Sequence, residues 1–183
     1  MKQDTVNINL WNEAAKYGII LGVLPAIYLF YGHLQIALDM TGFFSFMVGI
    51  MLWAVKFFGC MMLMKHAMLK FAFENESVSK NDIFKFGVCM AIFSALVFSV
   101  ISLADQLYFF PEQYQNAYAV LIEEYSKVLP AEQVDELKGM LSAPKFAFIG
   151  VFLYCLIYGT VLSKIFSVNI PSQKHLNPKN DEQ

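Results

Sequence analysis

Phe43-Phe-Ser-Phe-Met-Val-Gly-Ile-Met-Leu-Trp-Ala-Val-Lys56-Phe-Phe-Gly-Cys-Met-Met-Leu-Met64 is a run of apolar residues with one formal charge in its interior, Lys56. About 20 apolar residues in a helix cross the ~30 Å hydrocarbon core of a bilayer, so this stretch reads as a membrane span. Three more blocks have the same character, at about residues 14–31, 83–108 and 146–166. Hydrophobic residues make up 57% of the 183-residue chain and charged residues only 15%, against about 25% charged in an ordinary soluble domain. The fold class that follows is an all-α membrane protein. It has four transmembrane helices, with an outer amphipathic helical segment at 110–144 between helices three and four. Residues 1–12 read as an N-terminal cytoplasmic or interfacial segment, 13–168 as the four-helix transmembrane domain and 169–183 as a disordered cytoplasmic tail. The start of the chain lacks a charged n-region, a short apolar core and a cleavage site, so no cleaved signal peptide is expected.

The charges exclude some functions. All thirteen basic residues are lysines and the net charge is −2. Phosphate and base recognition favours the arginine fork, so no nucleic-acid partner is expected. Cys60, Cys89 and Cys155 lie inside apolar blocks without CxxC spacing, and His33, His66 and His175 are scattered near segment ends. The cysteines read as small buried hydrophobes, and neither a metal site nor a cofactor is expected.

In the first span Glu13 sits where a helix N-terminus favours an acid, and Trp11 fits an interfacial anchor. Gly18, Gly22 and Ala26 recur every four residues, leaving a smooth stripe for a neighbouring helix. Pro25 frees the carbonyl of Leu21. The second helix is expected to continue to Phe73. Ser79 or Asn81 is suited to cap the third. Gly87, Ala91, Ala95 and Ser99 form a second small-residue row, so the first and third spans are expected to pack together. Asp105 is placed near the outer end, where it needs no deep burial. Pro111 suits a first helical turn, and Tyr114, Tyr118, Leu121, Tyr125 and Val128 then follow a helical period. Pro130 starts a second short helix, with Val134, Leu137 and Leu141 on one side. Both short helices are expected to lie on the bilayer or to cap the bundle.

Lysines near the span ends set the orientation. With the N-terminus inside, Lys2, Lys16, Lys65, Lys70, Lys80, Lys85, Lys164, Lys174 and Lys179 are internal and Lys127, Lys138 and Lys145 external. Both termini are therefore expected in the cytoplasm. Glu13-Ala-Ala-Lys-Tyr-Gly-Ile19 echoes Asp82-Ile-Phe-Lys-Phe-Gly-Val88. The echo fits a duplicated helical hairpin in parallel orientation, but the shared needs of two inward-starting helices are the preferred reading.

Three stretches carry a resemblance: Lys16-Tyr-Gly-Ile-Ile-Leu-Gly22, the Ser79-x-x-Asp-Ile-Phe-Lys-Phe-Gly87 start of the third span, and Pro130-Ala-Glu-Gln-Val-Asp-Glu-Leu137 before the fourth. Over roughly residues 13–168 the chain resembles the domain-of-unknown-function 4199 family of four-helix bacterial membrane proteins. The resemblance implies a multi-pass protein of the bacterial inner (cytoplasmic) membrane and transfers no catalytic residue.

Motifs for chemistry are missing. The sequence holds no GxSxG, HExxH, glycine-rich phosphate loop or paired intramembrane aspartates, and Ser94, Ser99 and Ser102 read as back-bonded to their own helix. Lys56 stands out because an ionisable group at membrane depth is costly. It lies nine residues, or ~13 Å, from Lys65. Depth matching brings the Leu21 carbonyl, Ser94, Tyr154 and Tyr158 to its level, with no carboxylate among them. Three readings stay open: Lys56 snorkels to the inner headgroups, it donates to the freed carbonyl and hydroxyls inside the bundle, or it binds an anionic lipid or substrate or relays protons. The expected function is that of a non-enzymatic membrane protein acting through lipid or protein contacts. The alternative is a small transporter or permeation unit working as a homo-oligomer. Candidate ligand-binding residues are Lys56, Ser94, Tyr154 and Tyr158; candidate helix-packing residues are Gly18, Gly22, Ala26, Gly87, Ala91 and Ala95. The expected partners are membrane lipids, with a second copy or another membrane protein as a further possibility.

Overall fold

The structure, a computed structural model, describes residues 2–38, 40, 42–75 and 78–171; of residues 2–9, 37 and 142 only the backbone is described. Six α-helices follow one another: α1 (Lys2–Ala37), α2 (Phe43–Glu74), α3 (Lys80–Ala104), α4 (Pro111–Ser126), α5 (Ala131–Ser142) and α6 (Pro144–Asn169). A single π-helical turn, Asp105–Phe109, extends α3. The described residues include no strand. Four of the helices, α1, α2, α3 with its π turn, and α6, are long and apolar enough to cross a membrane. The tail expected to be disordered falls, from residue 172 on, outside the described residues.

Local chemistry sets the boundaries. Gly42 precedes α2 at φ +111°, a conformation that side chains with a Cβ rarely adopt. Ser79 caps α3: its Oγ accepts from the Asp82 N–H at 3.3 Å, and Asp82 Oδ2 accepts from the Ser79 N–H at 3.2 Å. This reciprocal box satisfies two donors that a helix start leaves free. Pro111 and Pro144 occupy first helical turns, where the missing N–H costs nothing. The first helix departs from the sequence expectation. It begins at Lys2, so Glu13 is no helix terminus; it pairs instead with Lys16 one turn on, at 2.6 Å. Residues 2–12 are therefore part of one long helix. Each residue added to an existing helix gains a hydrogen bond, so the helix runs past the apolar stretch.

The centre of the bundle is α3, which packs on α1 with one face and on α6 with another. The α1–α3 pairing agrees with the expectation, but the two small-residue rows do not meet. A Cβ on Gly18 would lie 2.6 Å from Phe93 Cβ, and one on Gly22 would lie 2.7 Å from the Ser94 carbonyl oxygen. The α1 row thus presses on a bulky stripe of α3. Gly87 and Ala91 face α6 instead: a Cβ on Gly87 would lie 2.8 Å from Ser163 Cβ, and one on Gly159 would lie 2.5 Å from Ala91 Cβ. The small-residue row of α3 thus meets a small-residue row of α6, which lets those two helices approach closely, while the α1 row receives the bulkier Phe93 and Val97. Ala26 and Ala95 are buried as expected. Trp11 meets Phe93 edge-on at 5.9 Å.

The densest packing is at one end. There Leu10 and Ala14 of α1, Met64, Ala67, Met68 and Phe71 of α2, and Ile83, Phe86 and Met90 of α3 are buried together. Phe71 and Phe86 stack with ring centres 4.2 Å apart. Toward its start α2 leans away: Phe43 is 78% exposed and Phe44 75%. Gln35 is the tie at that end, its Nε2 donating to Ser45 Oγ at 2.6 Å and to the Ser45 carbonyl at 3.2 Å. The divergence of α2 opens the wedge in which Lys56 stands.

Candidate functional site

Lys56 lines an interhelical cavity of about 230 Å³ to which all four long helices contribute. Leu21 and Pro25 come from α1, Trp53, Phe57 and Cys60 from α2, Ser94 from α3, and Tyr154 and Tyr158 from α6. The four residues singled out from the sequence, Lys56, Ser94, Tyr154 and Tyr158, therefore share one cavity, beside the helix turn that Pro25 interrupts. Gly159 and Ala91 line it too, so the closest approach of α3 and α6 shapes its wall.

The ammonium of Lys56 stands 4.3 Å from the centre of the Tyr28 ring, a cation–π contact. Side chains on a helix lean toward its N-terminus, which for α2 is the end away from Lys65. This direction, together with the Tyr28 contact, turns Lys56 toward the widening side of the wedge instead of the Lys65 end. Among the described residues no carboxylate lies within ion-pair distance of Lys56. The Tyr158 hydroxyl is buried without a hydrogen-bond partner, although its ring lies 6.1 Å from Phe57. The cavity therefore offers one cation, the hydroxyls of Ser94, Tyr154 and Tyr158, the thiols of Cys60 and Cys155, and aromatic and aliphatic walls. It suits an anionic head carrying an apolar chain.

A larger space of about 760 Å³ adjoins it, between the second half of α1 and the first half of α2, lined by Tyr28, Gln35, Ser45 and Trp53 among others. Trp53 lines both. The three cysteines are free and only partly buried, where full burial was expected, and Cys60 and Cys155 line the Lys56 cavity. Ser99 departs from its expectation: it is wholly buried, but its Oγ has no partner, so it is not back-bonded.

A second polar cluster was not expected. Asp105, placed by the sequence near a solvent-facing end, is fully buried. Its Oδ2 lies 2.6 Å from His33 Nε2 and accepts from the Tyr114 hydroxyl at 2.7 Å. The other ring nitrogen, Nδ1, is 2.5 Å from Gln113 Oε1, and Phe110 stacks on the imidazole with ring centres 3.9 Å apart. The π turn places these groups: the Phe110 N–H bonds the Asp105 carbonyl five residues back, at 2.9 Å. That extra residue per turn turns Asp105 inward and brings Phe110 over His33; such single π turns recur at functional sites. Burial, then the hydrogen bond to Asp105 and its charge, push the Tyr114 phenol well above its ordinary value. Burial also raises Tyr118.

The α1–α3 register accounts for the level of this pair once the structure fixes it. Gly22 packs on Ser94; His33 is eleven residues beyond Gly22, and Asp105 is eleven beyond Ser94. Parallel helices in contact keep that register, so the two residues lie at one level, and the π turn rotates Asp105 toward His33. Comparison of the chain with protein-family models, with curated proteins and with solved structures finds no match.

Proposed function

We propose that this chain is a non-enzymatic, multi-pass protein of the bacterial inner membrane that holds an anionic amphiphile in the Lys56 cavity. The observation that carries the reading is an intramembrane ammonium with no carboxylate partner among the described residues, lining a cavity whose walls are mainly apolar and aromatic. Charges at membrane depth are costly and persist where they have a partner, and none of the described residues supplies an anionic one. A space of about 230 Å³ equals roughly eight water volumes at about 30 Å³ each. That admits an anionic head and the first carbons of a chain, with the remainder passing between the helices to the lipid. Lys56 anchors the head, Tyr154 and Tyr158 offer hydroxyls, Ser94 lines the opposite wall and Pro25 leaves a backbone carbonyl free.

The bacterial inner membrane rests on the resemblance of residues 13–168 to the domain-of-unknown-function 4199 family. The lysine distribution supports both termini in the cytoplasm. It also supports α4 and α5 as the outer amphipathic segment. The small-transporter reading, as a homo-oligomer, is favoured by one observation, the larger space that meets the Lys56 cavity at Trp53.

Extraction of the protein with its surrounding membrane, followed by mass spectrometry of retained amphiphiles, tests the binding reading. The native protein should retain fatty acid or acidic phospholipid about tenfold over Lys56→Met, and which of the two is enriched identifies the head. Equal retention by both proteins would contradict it.

A further inference from the structure

The helix α4 contains no buried residue, so apolar packing does little to hold it. Three polar links join it to the bundle: Tyr114 to Asp105 at 2.7 Å, Gln113 to His33 at 2.5 Å, and Tyr118 to Gln106 at 2.7 Å. Two of the three converge on the buried pair His33–Asp105. We propose that this pair is a proton-operated latch, which docks α4 when it holds one proton and releases it on taking up a second.

Charge in a closed space sets the latch. Asp105 stands at the C-terminal end of α3, where the helix dipole disfavours an anion; His33 stands in the last turns of α1, where it favours a cation. An imidazolium donating from Nε2 to Asp105 and from Nδ1 to the Gln113 oxygen satisfies both ring nitrogens and leaves the cluster neutral. Loss of the imidazolium proton leaves Asp105 as a buried anion, but one that keeps two donors, Nε2–H and the Tyr114 hydroxyl, while turning the Gln113 amide over presents an N–H to the bare nitrogen. Gain of a proton by Asp105 is not tolerated. It cancels the negative charge and leaves a buried imidazolium without a counter-charge, which costs several kcal/mol unless the site opens to water. Asp105 Oδ1 is buried without any partner, so no donor there opposes protonation. The titratable groups facing the pair are His33 from α1, Asp105 from the π turn and Tyr114 from α4; Gln113 and Phe110 do not titrate. Among the described residues no lysine and no second carboxylate pairs with either. The latch is independent of what the Lys56 cavity binds.

Amide hydrogen exchange of the full chain in lipid nanodiscs, expressed as protection factors so that intrinsic exchange rates cancel, tests the latch. On acidification through the whole range in which the other helices stay folded, protection across residues 111–126 should fall at least about tenfold. Protection of α3 should hold. In His33→Gln and in Asp105→Asn the pH step should vanish. A flat profile in the native chain, or a step that survives in either variant, would overturn the proposal. Where those variants fail to fold, Tyr114→Phe decides: it keeps the charged pair, so it should keep the step from a lower starting protection. Unchanged protection of α4 throughout that range in Tyr114→Phe would equally overturn it.

Discussion

Replacing Gly159 with alanine adds one methyl group at the closest approach of α3 and α6. The new Cβ would stand 2.5 Å from Ala91 Cβ, where carbon atoms ordinarily rest about 3.5–4.0 Å apart. Neither atom can rotate away, because both are fixed to helical backbone, so the two axes must part by about 1 Å or more. Overpacking of this kind costs about 1–3 kcal/mol. Alanine returns up to about 1 kcal/mol through its better helix propensity. The net expectation is a loss of about 1–2 kcal/mol. Gly150 supplies the control on the same helix: a Cβ there meets nothing within 4 Å, so Gly150→Ala keeps the propensity gain and should stabilise by about 0.5–1 kcal/mol. Reversible unfolding in mixed micelles, followed by circular dichroism, measures both. Two variants of equal stability, or a Gly159→Ala protein as stable as the parent, would refute the packing of α6 on Ala91.

Other expectations concern the helix start and the phenol beside Asp105. Ser79→Ala removes the reciprocal cap of α3 and should cost about 1 kcal/mol in the same unfolding assay, with the loss of exchange protection confined to the first turn of α3. The Tyr114 phenol has a folded value raised above its unfolded one of about 10. Its contribution to stability is therefore fully present below about pH 10 and lost as pH rises through the higher folded value. In a phenolate absorbance titration, Tyr114→Phe should delete amplitude from the most alkaline limb; amplitude lost near pH 10 instead would contradict the burial of that hydroxyl.

Much of this architecture is legible in the residues. The four long helices follow from apolar blocks that no soluble fold would tolerate, and Ser79 and Pro111 mark helix starts by chemistry that is wholly local. The Lys56 cavity was also accessible, because helices that share a bilayer share a depth scale, and matching depths brings Ser94, Tyr154 and Tyr158 to the same level. Less local features escaped. The row Cys155, Gly159, Ser163, Ser167 repeats every four residues as plainly as the rows on α1 and α3, and it is the surface that Gly87 and Ala91 meet. Glu13 resembled a helix start only because polarity was read as the end of the helix. The His33–Asp105 contact joins residues 72 apart, and it emerges only once the α1–α3 register is fixed by Gly22 against Ser94. A π turn, which rotates Asp105 inward, has no compositional signature of its own.

On the proposed reading, the Lys56 ammonium holds an anionic amphiphile between the four long helices. Trp53 lines that cavity, and Trp11 is the chain's other tryptophan, so a Trp11→Phe background makes indole fluorescence a local reporter. Titration of this protein in nanodiscs with a fatty acid or an acidic phospholipid, each brominated on the acyl chain, measures occupancy directly. One of the two should quench Trp53 saturably, and Lys56→Met should weaken that binding about tenfold, the value of roughly 1.4 kcal/mol of charge-assisted contact. Quenching identical in Lys56→Met, or matched by a brominated zwitterionic lipid at the same concentrations, would contradict the account.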